Sequence, residues 1–200
     1  MALSREHWVT IEEYYEMEKT SDVKLEYSHG RVYAMAGGSP EHSRIAINLL
    51  GALNVHLRGK VCRVFNSDRH VQPLGDEDPT YLPDITVTCN PDDYKRSSPA
   101  IRSPRLIIEV LSPSTYMIDR VEKLKAYQAC PSCEEYVMIS SHHQEVEVYR
   151  RESNTGEWKF IRYTAEQMVT LASVELTIPV SEIYADTDIP PLTSVTNVGY

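Results

Sequence analysis

Residues 105–111 read Arg-Leu-Ile-Ile-Glu-Val-Leu, and this run constrains the fold more than any other part of the chain. It is too short for a buried helix. It also lacks the polar/apolar alternation of a strand with one wet face, so it predicts a strand covered on both sides. Such strands belong to sheets with layers packed on both faces, which makes the expected class α/β. The run also contains a carboxylate. Burying Glu109 among Leu, Ile and Val is costly unless the group is paired or bound to a metal. The bland alternative is a strand-end glutamate paired with an arginine, and for Glu109 alone the two readings weigh about equally.

The remaining elements are arranged around that strand. Thr10 predicts the N-cap of a short helix over 10–18. Strands over 23–27 and 31–35 flank Ser-His-Gly, a hairpin signal. Residues 41–58 carry Ile45, Leu49, Leu50, Leu53 and Leu57 at helical spacing, with Gly59 as the stop. Strands are expected over 61–65, 70–72 and 81–88, with an acidic turn over 75–80. A helix over 116–129 followed by a strand over 134–139 suggests a parallel crossover from the buried run. Strands over 145–150 and 158–163 read as an antiparallel pair joined by the turn 153–156. The expected organisation is one domain over 1–186 with a loosely ordered tail over 187–200.

Composition allows an ordinary core. The chain has 200 residues, 42% hydrophobic and 24% charged. No apolar run reaches membrane-spanning length, and the N-terminus does not read as a secretory signal, so the expected location is cytoplasmic. The net charge of −9 opposes non-specific duplex binding, which draws on phosphate neutralisation. It leaves room for an acidic site that needs a cation before a phosphate can approach. Of four cysteines, Cys130 and Cys133 form Cys-Pro-Ser-Cys after a helix rather than at its N-terminus, and Cys62 and Cys89 form no second close pair. Zinc or redox chemistry is therefore disfavoured, and reduced thiols in a helix-to-strand turn are expected.

Asp84 changes the reading of Glu109. It follows Pro83 in a second strand, and two adjacent strands could bring both carboxylates to one point. Hard cations such as Mg²⁺ take one or two carboxylates plus water and substrate phosphate. A cation so held can activate water and stabilise charge on a scissile phosphate.

Pro83-Asp84 followed by Ile107-Ile108-Glu109-Val110-Leu111 resembles the PD-(D/E)XK nuclease superfamily. Residues 26–33, Ser39-Pro40-Glu41-His42, the string Glu109-Val110-Leu111-Ser112-Pro113-Ser114-Thr115 and residues 119–127 together resemble its bacterial restriction-endonuclease branch, over about residues 10–184. The resemblance implies a restriction-endonuclease-like core: a mixed sheet flanked by helices, with antiparallel strands at its edges. It also implies a Mg²⁺- or Mn²⁺-dependent endonuclease acting on nucleic acid, DNA first, as a homodimer without a membrane. Metal would sit on Asp84, Glu109 and the Val110 carbonyl. One departure stands out, because the lysine of the motif should be residue 111, which is Leu. In this branch it moves to the following helix, where Lys123 matches and Lys125 is the neighbour to be told apart. Asp119, Lys123 and Tyr127 share one helix face, so the bland reading of Lys123 is an i,i+4 pair with Asp119. Glu26 matches an acidic position that supports the metal, against a cross-strand charge pair. His42 matches a histidine that orients water or phosphate, against a locally bonded helix start. The alternative function is a binding module that keeps the nuclease fold without catalysis.

Overall fold

A computed structural model of the protein describes residues 8–34, 38–75, 79–112 and 116–192. The chain opens with α1 (Ile11–Thr20), the hairpin β1 (Leu25–Ser28) and β2 (Arg31–Ala34), and α2 (Pro40–His56). Then come β3 (Arg63–Asn66), β4 (His70–Val71), β5 (Ile85–Thr88), β6 (Ala100–Ile101) and the long β7 (Pro104–Leu111). A π-helical turn, Ile118–Lys123, runs on into α3 (Leu124–Ala129). The chain closes with β8 (Glu135–Ser140), β9 (Glu145–Arg151), β10 (Trp158–Thr164), β11 (Met168–Leu171), β12 (Leu176–Pro179) and α4 (Val180–Ile183).

Six strands form one mixed sheet in the order β10-β9-β8-β7-β5-β3. β7 and β8 pair in parallel through the helical crossover, and the other neighbours are antiparallel. This is the α/β mixed sheet expected from the sequence. β7 explains why the sheet has two cores. Leu106, Ile108 and Val110 face α2 with Ile45, Leu49, Leu53 and Leu57. Ile107 and Leu111 face the opposite layer with Ala126, Tyr127 and Tyr136. Glu109, by strand alternation, shares that second face.

Local chemistry sets the element ends. Thr10 and Glu13 form a reciprocal capping box on α1. Ser39 caps α2, Pro40 fills its first turn, and Gly59 at φ +79° follows its end. His29 at φ +49° and Gly30 at φ +74° form the two-residue turn between β1 and β2, as a tight hairpin requires. Met35, expected to end β2, lies outside the described residues, as does the middle of the acidic turn.

Four features differ from the sequence reading. The strand expected over 81–88 pairs with the main sheet only from Ile85. The helix expected over 116–129 begins with a π turn. β11, β12 and α4 were not read from the sequence, and they pack Val169, Leu171, Ile178 and Ile183 into the α2-side core. The loose tail expected from 187 does not begin there. Ile189 is buried in that core, and Gln144 bonds the carbonyls of Ile189 and Pro190. Residues 193–200 lie outside the described part. No helix among the described residues is long and apolar enough to cross a membrane.

The cysteines separate by sheet face. Cys62 and Cys89 stand just outside the Arg63↔Thr88 register pair and form a disulfide, a pairing that depends on strand register. Cys130 and Cys133 are free and buried in the α3-side core, so the four thiols cannot share one zinc ion. They lie in the helix-to-strand turn expected from the sequence, but buried rather than exposed. Cys130 Sγ lies 3.3 Å from Ser132 Oγ and Cys133 Sγ donates to the Glu135 carbonyl, so replacing both with Ser leaves each hydroxyl a partner and should lower unfolding free energy by about 1 kcal/mol in urea titration, the low end of the cost of burying a hydroxyl.

Candidate active site

Lys123 is the centre of the site. Its side chain is 2% exposed and its ammonium contacts three carboxylates: Glu109 Oε1 at 2.9 Å, Glu26 Oε1 at 3.0 Å and Asp119 Oδ1 at 3.1 Å. Each comes from a different place in the chain. Glu109 points from β7 toward the helical layer, and Glu26 comes from β1. Asp119 and Lys123 belong to the π turn. A π turn widens the helix by one residue and frees a carbonyl, and such turns recur at functional sites. Here the Asp119 carbonyl accepts from the Tyr136 hydroxyl at 3.1 Å.

Asp84 completes the cluster from the residue just before β5, the neighbour of β7. Its Oδ2 accepts from the Val110 N–H at 2.8 Å, its Oδ1 lies 3.0 Å from His42 Nε2, and its own N–H donates to Glu109 Oε2 at 3.4 Å. The Pro83-Asp84 dipeptide explains the late start of β5. Pro83 has no N–H to give a ladder. The amides on either side, Leu82 and Asp84, go to Glu26 (2.7 Å) and Glu109 instead of to a strand. His42 is placed by the start of α2, where the Ser39 hydroxyl accepts its backbone N–H.

The structure therefore brings all five expected side chains, Glu26, His42, Asp84, Glu109 and Lys123, to one cleft of about 1130 Å³. Val110 lines it too. Lys125 is exposed and does not line it. Asp119 was read from sequence only as a helix partner of Lys123, and it proves to be a third buried carboxylate of the cluster. Its signal was present in the Asp-Arg-Val-Glu-Lys string, but nothing in the string shows that the segment is buried.

Electrostatics follow from an imbalance. Four carboxylates surround one lysine and one histidine. Burial pushes Glu109 well above the ordinary glutamate range, and Asp119, Asp84 and Glu26 push it further against the pull of Lys123. Burial opposes charge on Lys123, but Glu109, Glu26 and Asp119 outweigh it and hold the ammonium protonated above the usual lysine range. For His42 burial also opposes charge, and the hydrogen bond and charge of Asp84 prevail, raising its pKa. Beneath the lysine lie tyrosine rings: Lys123 Nζ is 5.5 Å from the Tyr81 centroid, and Tyr127 packs between Tyr81 and Tyr136.

Among the described residues no three His, Cys, Asp or Glu side chains are grouped as a ready-made metal cage. A cation at Asp84 and Glu109 would draw on two carboxylates, a backbone oxygen and water, which suits Mg²⁺ better than a soft metal.

This six-stranded mixed sheet flanked by helices is a restriction-endonuclease-like core. The chain belongs to the Uma2 family, whose model matches residues 11–181 and is described as "Putative restriction endonuclease". It is similar to the uncharacterized protein slr1290 of Synechocystis sp., 38% identical over 173 residues, covering 86% of this chain and 90% of that protein. A second Synechocystis protein, the uncharacterized sll1609, is 29% identical over 144 residues, covering 72% and 81%. Among solved structures, a protein of Anabaena variabilis described as "a putative nuclease belonging to DUF820" superposes with a TM-score of 0.69. It is 18% identical, with 88% of this chain and 97% of that one covered, and the likeness is one of fold.

Proposed function

We propose that the protein is a divalent-cation-dependent nuclease that hydrolyses phosphodiester bonds, in DNA first, with Mg²⁺ or Mn²⁺ at Asp84, Glu109 and the Val110 carbonyl. The observation that carries the reading is that Asp84, just before β5, meets Glu109 of the adjacent β7, and Glu109 in turn contacts the lysine delivered by the crossover helix. The donor set fits the ion. It is all oxygen, it stands at the edge of an open cleft, and its negative charge exceeds what Lys123 and His42 balance. When bound, the cation supplies Lewis-acid activation of water and charge neutralisation at the phosphate.

The chain's own groups have separable parts in this reading. Glu26 and Asp119 hold Lys123 from two sides and fix its ammonium beside Glu109. Lys123 places a permanent charge at the cleft floor, strong because water is excluded. His42 is held by Asp84 at the cleft wall, where it can orient water or a phosphate oxygen. Plasmid, linear duplex, single-stranded DNA and RNA, each incubated with EDTA, Mg²⁺ or Mn²⁺, test the proposal. Cleavage only with a divalent cation supports it. Nucleic-acid binding without cleavage under every condition would favour the binding-module alternative, toward which the net charge of −9 points.

A pH effect follows from Glu109. Its folded pKa lies above its unfolded value, so the folded state holds the extra proton. Without a cation, that contribution to stability is present below the usual glutamate range, about 4.3, and is lost as pH rises through the folded pKa. Melting temperature in EDTA should therefore fall with rising pH above that range. Mn²⁺ should reverse the fall, and Glu109→Gln should lessen it, leaving the part set by His42, whose raised pKa acts in the same direction. An identical pH profile in that variant would remove Glu109 as the source.

A further inference from the structure

Past Ser112 and His142, which line both spaces, the cleft continues into a second hollow of about 300 Å³. Nothing in the site described above uses it. Its rim is Tyr116, whose side of the helix start is 44% exposed. The Arg120 guanidinium lies 4.6 Å from the Tyr116 ring centroid and holds Glu147 at 2.7 Å. Arg162 reaches Glu145 and Glu147, each at 3.4 Å, and His143 lies 3.6 Å from Glu145. Both glutamates are buried.

The charges in this hollow are already matched. Two guanidinium groups face two carboxylates, so there is no positive excess to draw in a phosphate. What the hollow offers is a half-exposed Tyr116 ring with the Arg120 guanidinium stacked over it, and below it paired carboxylates that keep lone pairs to accept a further bond. A ring stacks on such a face, and exocyclic amino groups donate to carboxylates. Phosphate is repelled by carboxylates whose charge is only just matched, and a sugar presents no flat π face to stack on the ring. The size suits one small planar group.

We propose that the hollow takes an unpaired nucleobase of the nucleotide adjoining the scissile phosphate, so that the preferred substrate is single-stranded or locally unpaired. The placement of the scissile bond rests on the nuclease reading. A base inside a duplex cannot reach a pocket of this kind without leaving its stack, and that cost is least when it is already unpaired. Single strands and duplexes both carry phosphate charge, but only an unpaired base can add stacking on Tyr116 to that common term.

The test is fluorescence anisotropy of the full chain in EDTA, where no cleavage occurs. The probes are labelled single strands of about 12 nucleotides, as DNA and as RNA, and a hairpin duplex of the same sequence. Single strands should bind more tightly than the duplex, with the DNA and RNA arms showing which sugar is preferred. Tyr116→Ala should weaken single-strand binding about tenfold, in line with loss of one stacked base, and leave the salt slope unchanged. Tyr116→Phe should bind as the parent does. If Ala lowers the melting temperature, Tyr116→Leu repeats the test with apolar bulk retained. Equal or tighter duplex binding, a Tyr116→Ala affinity equal to the parent's, or a changed salt slope overturns the proposal. Tyr116-dependent binding without cleavage in Mn²⁺ would remove the nuclease reading alone. Cleavage with Tyr116-independent binding would remove the base pocket alone.

Discussion

Lys123→Ala should abolish cleavage and also lower stability by about 3–5 kcal/mol, the loss expected when one partner of a buried ionic group is removed. The reason is the environment of the ammonium. Glu26, Glu109 and Asp119 all lie within 3.1 Å of it, and all three are buried. Without the lysine, three carboxylates share a site with little solvent, and each raises the cost of ionising the others. Lys125→Ala, two residues on and exposed, should change stability by no more than about 0.5 kcal/mol and leave cleavage intact.

Two measurements separate the structural part of Lys123 from the catalytic part. Urea denaturation gives the stability loss, and Mn²⁺ should recover some of it, because an added cation replaces part of the missing charge. Cleavage should stay absent at saturating Mn²⁺, where the fold is restored. Lys123→Arg keeps the charge but replaces a compact ammonium with a planar fork that cannot meet three carboxylates from one point. It should be more stable than Lys123→Ala and still cleave poorly. If Lys123→Ala cleaved normally once Mn²⁺ restored its stability, the lysine would be a structural counter-ion only.

The buried strand, the crossover after it and the neighbouring strand with Asp84 were legible because each leaves a local pattern. Residues 106–111 are apolar but for Glu109, 116–129 are helical in spacing, and Pro-Asp interrupts a β-branched run. From these, the adjacency of Asp84 and Glu109 could be expected, and the structure places the two in contact. Features set by non-local register left no such pattern. Cys62 and Cys89 meet only because β3 and β5 pair with Arg63 opposite Thr88. The burial of Asp119 depends on the π turn, and helical spacing does not distinguish a π turn from an α turn. The short β11–β12 hairpin and α4 carry too few residues to show a period. Cys130 and Cys133 sit in a turn by sequence and in the core by packing, because that turn lies under Tyr127 and Tyr136.

Asp84→Asn and Glu109→Gln should each remove divalent-cation affinity and reduce cleavage by at least about 100-fold. That is the upper end of the loss seen when only an outer partner of a metal ligand is removed. Their effects on the cation-free fold should differ, because the two carboxylates bond differently. Asp84 is the more exposed, at 12%, and accepts from Val110 N–H on one oxygen while its other oxygen faces His42. An asparagine can keep the Val110 bond with its carbonyl oxygen and turn its amide toward a neutral His42. Removing its negative charge also relieves Glu109, so Asp84→Asn should melt close to the parent in EDTA. Glu109 accepts on both oxygens, from Lys123 and from the Asp84 N–H. A glutamine has one acceptor, so its amide must face one of those donors in a buried site. Glu109→Gln should therefore lose about 1–3 kcal/mol from the unsatisfied group, less whatever is regained by burying one charge fewer. Titration calorimetry with Mn²⁺ and melting in EDTA check both halves. Undiminished Mn²⁺ binding in either variant would show that the cation sits elsewhere. Equal melting of the two would show that the hydrogen bonds to Glu109 do not set its cost.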